Sequence, residues 1–191
     1  MVNHDTAPAQ AQADTAALQA VARGDLQALG ALYDRHAAVL ERTFARWGVA
    51  DGDIDDLVQA TFLQAARAAA HFDPSQSPRG WLFGVAGMIA RRHRRSLMRA
   101  LARLARWSAS ASERPPPTPG EVYEGDEARR RVEQTLARLS RKKREVFVLV
   151  TLEGLSGQEV AQSLGIPLKT VWTRLHHARR VLREALGEEA P

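Results

Sequence analysis

Apolar positions recur three and four residues apart along almost the whole chain, the period of helices that bury one face. Between Asp25 and Trp47, the residues Leu26, Leu29, Leu32, Tyr33, Val39, Leu40 and Phe44 form one such stripe, and Gly48 stops it. Ile54, Leu57, Val58, Phe62, Ala65 and Ala66 form the next, from Asp53 to Phe72, broken by Asp73-Pro74-Ser75. Pro78 suits the first turn of a third helix, which runs to about Trp107. Further helices are expected near 127–139, 141–152, 156–164 and 168–186. No run of alternating β-branched residues suggests a strand, so the expected fold is all-α.

The last two helices carry the sharpest local signals. Ser156 is a good N-cap, and Glu159 three residues on completes a capping box. Val160, Ala161 and Leu164 give an apolar face, Gly165 supplies a turn, and Pro167 opens the next helix. Val171, Leu175, Ala178 and Leu182 then face inward at helical spacing. The rest of that helix offers Lys169, Thr170, Trp172, Thr173, Arg174, His176, His177, Arg179 and Arg180, with no acidic residue from Leu168 to Arg183. Cap, turn and spacing agree on a helix-turn-helix, which lays its second helix in the DNA major groove. An apolar inner face with a purely basic outer one suits a groove lined by phosphates.

Composition changes abruptly once. The Ser/Pro/Gly-rich segment SASASERPPPTPGEVYEGDE cannot bury a core and reads as a flexible linker. Fully extended, it reaches roughly 60 Å. The expected organisation is a disordered polar tail at 1–17, a helical domain at 18–107, the linker at 108–125 and a second helical domain at 126–187. The tail has neither the basic start nor the apolar run of a signal peptide, and no segment is apolar enough for membrane insertion. These features lead us to expect a cytoplasmic protein.

Net charge, +5 over 191 residues, matters less than its distribution. Asp51, Asp53, Asp55 and Asp56 gather where the second helix begins, as the helix dipole favours. Arg91, Arg92, Arg94, Arg95, Arg99, Arg103 and Arg106 crowd the end of the third with no acid among them, more cation than capping needs. The absence of cysteine excludes disulfides, Cys-ligated zinc and a thiol nucleophile. An EF-hand loop starting at Asp51 fails, because its sixth position is Asp56 rather than Gly and its twelfth is Phe62 rather than Glu. His176 and His177 diverge on a helix and have no third ligand nearby. No metal, cofactor or catalytic constellation is expected, and the chain is not read as an enzyme.

Two separated motifs then coincide. DDLVQATFLQAARAAAHFD (Asp55 to Asp73), followed by RGWLFGVAGMIARRHRR (Arg79 to Arg95), resembles region 2 of bacterial sigma factors of the sigma-70 family. LSRKKREVFVLVTLEGLSGQEVAQSLGIPLKTVWTRLHHARRVL resembles their region 4. Order, spacing and the missing middle domain resemble the extracytoplasmic-function (ECF) subfamily. The resemblance implies an alternative sigma factor that binds core RNA polymerase, recognises −35 and −10 promoter DNA and helps open the −10 element. It assigns Asp56, Gln59 and Gln64 to a basic coiled coil of the polymerase. Trp81, Met88, Arg91, Arg92, Arg94 and Arg95 fall to the −10 region, where cations hold a displaced strand. Lys169, Thr170, Trp172, Thr173, Arg174, His176, His177 and Arg180 fall to the −35 region. The family often adds an anti-sigma factor as partner.

The chain departs from the family pattern at several positions. Met88 stands where Asn is common, Gly84 where a basic residue is, and Trp172 and His177 where Arg or Lys is. Ala60 and Ala66 replace a common Glu and Trp. A different class remains open on the residues alone: a stand-alone helix-turn-helix regulator, whose first domain would dimerise or bind a ligand instead of polymerase.

Overall fold

Helix boundaries follow from local chemistry wherever a capping side chain is present. In a computed structural model that describes residues 6–108 and 127–186, the helices are α1 (Thr6–Ala22), α2 (Leu26–Trp47), α3 (Asp51–Ala68), α4 (Pro78–Ser108), α5 (Glu127–Ala137), α6 (Arg141–Phe147), α7 (Gly157–Leu164) and α8 (Leu168–Leu186). Among the described residues there is no strand. The linker expected at 108–125 lies almost wholly outside the described residues. Asp25 caps α2, its Oδ1 accepting from the N–H groups of Gln27 at 2.9 Å and Ala28 at 3.1 Å. Gly48 ends that helix at φ +81°, a left-handed conformation that favours glycine. α3 begins two residues earlier than expected, at Asp51, and closes in a 3-10 turn at Ala69–His71.

The first three expected helices and α1 share one core. Leu32, Leu40, Phe44 and Trp47 of α2 meet Ile54, Leu57, Val58 and Phe62 of α3 and Leu82, Phe83 and Ala86 of α4, all buried. Two members of the expected α2 stripe fall outside it: Leu26 is 78% exposed, and Tyr33 is half out, its ring 4.9 Å from that of Phe62. The far half of α4 leaves the core, so Leu97, Met98, Leu101 and Leu104 are exposed.

The expected disordered tail at 1–17 is corrected from Thr6 onward, because α1 is a helix packed on α2, α3 and α4. Its many alanines carry high helix propensity. Leu18 and Val21 are buried, and burying such side chains contributes about 1.5–3 kcal/mol each. The anchor is Asp14, itself buried. Arg35 Nε donates to its Oδ1 at 2.9 Å, and His36 Nε2 lies 2.8 Å from Oδ2. Burial alone would raise the Asp14 carboxyl; the His36 hydrogen bond and charge, with Arg35, outweigh it and hold the group below its ordinary 3.8.

In the second half, the capping box forms as expected. Glu159 N–H donates to Ser156 Oγ at 3.2 Å, and Ser156 N–H donates to Glu159 Oε2 at 2.7 Å. Gly165 makes the turn at φ +62°. Val171, Leu175, Ala178 and Leu182 are buried. α6 runs on as a π-helical turn, Val148–Leu152. That wider turn lets the sequential Val148 and Leu149 both face the core, each fully buried. The tether gives no position for one half against the other; the structure brings α7 onto α4, and α5 and α6 onto α2.

Candidate polymerase and nucleic-acid interfaces

Three helical faces carry the candidate residues. On α3, Asp56 and Gln59 are exposed one turn apart. Gln64 is half-buried and lies about 80° further round the helix than Asp56, so it does not join their face. The neighbour that does is Leu63, 57% exposed and missed by the sequence reading. Its signal was an apolar residue that fits no inward stripe. With Asp55 also exposed, this face combines carboxylates, an amide and one apolar contact.

On α4, Trp81, Met88, Arg92 and Arg95 align within about 60° of one another. Trp81 is half-buried, its ring edge-on to Phe72 at 5.4 Å, while Met88 is 42% exposed. Arg92, Arg94 and Arg95 are exposed. Phe83 is core, 2% exposed, under the guanidinium of Arg79 at 5.3 Å; it has no access to a base. Arg91 and Arg94 turn aside. They line a cavity of about 320 Å³ with Trp47, Asp53, His93, Arg141 and Glu145. There Arg91 Nη1 stands 4.0 Å and Arg141 Nε 3.5 Å from the buried Glu145 carboxylate. Burial pushes the Glu145 carboxyl above its ordinary value, against the pull of Arg91, Arg141, Arg174 and Arg94. The basic run Arg141 to Arg144 thus ends in a buried acid.

On α8, Lys169, Trp172, Thr173, His176 and Arg180 share the outer face and are exposed. Thr170, Arg174 and His177 are half-buried, Thr170 and Arg174 at its edge. Trp172 also has a packing role: a Cβ at Gly157 would meet its ring at 2.5 Å, so the indole lies over the first turn of α7. Thr173 Oγ1 donates to Lys169 O at 2.9 Å, and the His176 and His177 rings are tilted at 5.8 Å. Behind this face, Val132, Leu136, Phe147, Leu152 and Leu182 line an apolar groove of about 560 Å³ between α5, the π turn and α8.

The two halves meet through contacts that the sequence reading missed. Glu153, 7% exposed, accepts from Arg46 Nη1 at 2.8 Å, Thr43 Oγ1 at 3.1 Å and Arg79 Nη2 at 3.1 Å. Arg79 Nη1 also donates to the Glu153 backbone carbonyl at 2.7 Å. Glu159 adds a hydrogen bond from Ser77. Burial raises its carboxyl, yet Ser77, Ser156 and Arg79 together hold it below the ordinary value.

Comparison with known proteins matches this layout. The family model for sigma-70 region 2 covers residues 32–100, and that for sigma-70 region 4 covers 129–182. The RNA polymerase sigma factor CnrH of Cupriavidus metallidurans is 34% identical over 178 residues, 88% of this chain and 92% of that one. The ECF RNA polymerase sigma factor SigL of Mycobacterium tuberculosis is 34% identical over 177 residues, 91% of this chain and 97% of its own. The solved structure of CnrH in complex with the cytosolic domain of CnrY superposes with a TM-score of 0.68 at 31% identity, over 93% of this chain and 99% of that one. RpoE from Bartonella quintana, solved with the anti-sigma factor NepR, shares the fold at a TM-score of 0.63, 22% identity, and 84% and 98% coverage. Both regions in order on one chain, with relatives alike along most of its length, decide against the stand-alone regulator: the chain belongs to the ECF sigma factors of the sigma-70 family, the non-catalytic promoter-recognition subunits of RNA polymerase.

Proposed function

We propose that this sigma factor divides its work among the three faces described above. The α3 face, through Asp56, Gln59 and Leu63 with Gln64 beside them, docks on a basic surface of core polymerase. Trp81, Met88, Arg91, Arg92, Arg94 and Arg95 of α4 handle the −10 element, the arginines holding displaced strand backbone and Met88 offering apolar contact. Lys169, Thr170, Trp172, Thr173, Arg174, His176, His177 and Arg180 of α8 address the −35 element, with Lys169 and Arg180 on phosphate. The working units are 18–107 and 126–187, joined by 108–125, and they act in the cytoplasm. α1 joins the first unit from Thr6 onward.

A partner follows from the groove on the second unit. Its apolar floor and the flanking Arg131, Arg179 and Arg183 suit an amphipathic helix with acidic edges. CnrH was solved with the cytosolic domain of CnrY, and we extend an anti-sigma partnership to this chain on that footing.

The observation that carries the functional reading is the presence of both sigma regions in order on one chain. Its test is reconstitution. The purified chain should bind core polymerase and direct runoff transcription from a promoter selected by the holoenzyme. Absence of stable core binding would overturn it.

A further inference from the structure

The cavity into which Arg91 and Arg94 turn has the makings of a ligand site. Its volume of about 320 Å³ is room for a molecule of one or two rings. Its lining is of two kinds. Trp47, Val49, Leu97 and Met98 supply apolar surface, and Leu97 and Met98 are 46% and 54% exposed. Arg91, Arg94 and Arg141 supply cation.

The cations outnumber their counterions. His93 Nε2 and Asp53 Oδ2 lie 3.2 Å apart and serve each other, which leaves Glu145 to three guanidiniums. It holds none of them closely. Arg91 Nη1 at 4.0 Å and Arg141 Nε at 3.5 Å are both beyond ordinary hydrogen-bond length. Arg174 draws on the same carboxylate from α8.

A second observation is independent of that balance. Trp47 is 7% exposed, and its indole N–H is buried with no hydrogen-bond partner in the protein. Arg141 Nε is buried without a hydrogen bond as well. Unbonded buried donors cost free energy. Two of them on residues that line one cavity, beside surplus guanidinium charge, call for an acceptor that carries negative charge.

The chemistry narrows the class. A carboxylate matches the planar fork of a guanidinium and also accepts from an indole N–H. A single negative charge fits the surplus, whereas a polyphosphate would be repelled by Glu145 and Asp53. Inorganic phosphate would use the guanidiniums and leave the apolar lining bare. An aromatic body covers that lining, because rings pack well on methionine sulfur and on the flat face of arginine.

We propose that this cavity binds a small aromatic monocarboxylic acid, its carboxylate held by Arg91, Arg94 and Arg141 and its ring laid over Leu97 and Met98. The site stands on these residues alone and needs none of the DNA assignments of α4.

Naphthoate is the probe, titrated into the full chain labelled with heavy nitrogen. The chain has 4 tryptophans, and Trp47→Phe identifies the indole N–H signal of Trp47. That signal should shift and saturate with a dissociation constant of about 1 mM, as expected for a ligand of this size. Naphthylmethanol, which keeps the ring without the charge, and inorganic phosphate should each bind about tenfold more weakly. Arg91→Ala and Arg94→Ala should each weaken naphthoate about tenfold, the loss of a charge-assisted hydrogen bond. Leu97→Ser combined with Met98→Ser should weaken it by a similar factor, about tenfold, and leave phosphate unchanged. No saturation by about ten times the expected constant overturns the proposal. So does phosphate binding as tightly as naphthoate, which would reduce the site to a patch of positive charge. Should Arg91→Ala not fold, Arg94 is exposed and its removal spares the core. Unchanged naphthoate affinity in Arg94→Ala, with native circular dichroism, overturns the carboxylate assignment.

Discussion

Two faces of the first half make an instructive pair. The outer face of α3 presents Asp55, Asp56, Gln59 and Leu63 to solvent, and no described element packs on it. The corresponding face of α4, two helices of the same core, is part-covered: Trp81 and Gly84 look across a cleft at α7, and Arg91 is drawn toward Glu145. Both faces rest on the same apolar floor. What differs is the countercharge supplied by the second half. Glu145, Glu153 and Glu159 all come from residues 141–164 and stand opposite arginines or serines of the first half. The acidic α3 face meets no such complement.

The comparison breaks most clearly on the α3 side. Asp56→Lys with Gln59→Lys turns an acidic docking face basic, and like charges across an interface cost several kcal/mol. Core affinity should fall by about 2–5 kcal/mol in direct titration, while the second half binds −35 DNA as before. Equal core affinity would show that this face is idle. Leu63→Ser removes only the apolar contact and should cost less, about 1 kcal/mol.

A smaller effect is expected where both faces are buttressed together. α1 packs under α3 and α4, held by the buried Asp14. Asp14→Asn should destabilise the fold by about 1–3 kcal/mol at neutral pH, measured by chemical denaturation. The sign with pH follows from the depressed carboxyl. Its contribution is whole above the ordinary 3.8 and is lost as pH falls through the lower folded value. Parent and variant should therefore converge in strong acid. Glu145 carries the opposite sign, because its carboxyl is raised by burial. Its ionisation works against the fold, so that group's contribution declines as pH climbs from the ordinary 4.5 through the folded value. Glu145→Gln should remove this decline, visible as a flatter stability profile over that window. A steeper profile would show that the nearby arginines, not burial, govern the group.

What could be read beforehand depends on how far apart the interacting residues lie. Caps and turns act over three or four residues, so Asp25, Gly48, Ser156 with Glu159, and Gly165 gave helix ends close to those observed. The inner faces of α3 and α8 repeat at one period and were equally legible. α1 was not, because only Leu18 and Val21 mark its stripe, and its anchor is an acid whose partners sit 21 and 22 positions away. Glu153 reaches Arg46 and Arg79 across 107 and 74 positions, a separation at which no periodicity speaks. For the candidate sites, the helices and their outer sides were legible. The placing of Gln64 and Arg174 at the margin, Leu63 at the centre and Trp172 over Gly157 came only with packing.

The smallest expected effect concerns Arg174, and it sharpens the comparison from the DNA side. Lys169 and Arg180 are exposed on the outer face of α8, so Lys169→Ala or Arg180→Ala should weaken binding on all sequences alike and lower the salt slope by about one. Arg174 is half-buried at the margin, and its charge acts on Glu145. Glu145 lies in the same half, so part of the interaction of Arg174 is already spent inside that half. Arg174→Ala should cost less than about 1 kcal/mol in −35 affinity, within the range of a surface change, if the side chain stays on Glu145. It should cost roughly 1–3 kcal/mol and relax preference at one −35 base if the side chain leaves Glu145 for a guanine edge. The measurement is affinity for single-base −35 variants at several salt concentrations. A large loss confined to one base would show that the buried acid does not hold Arg174 back from the groove, and that the margin of α8 reads DNA as its open face does.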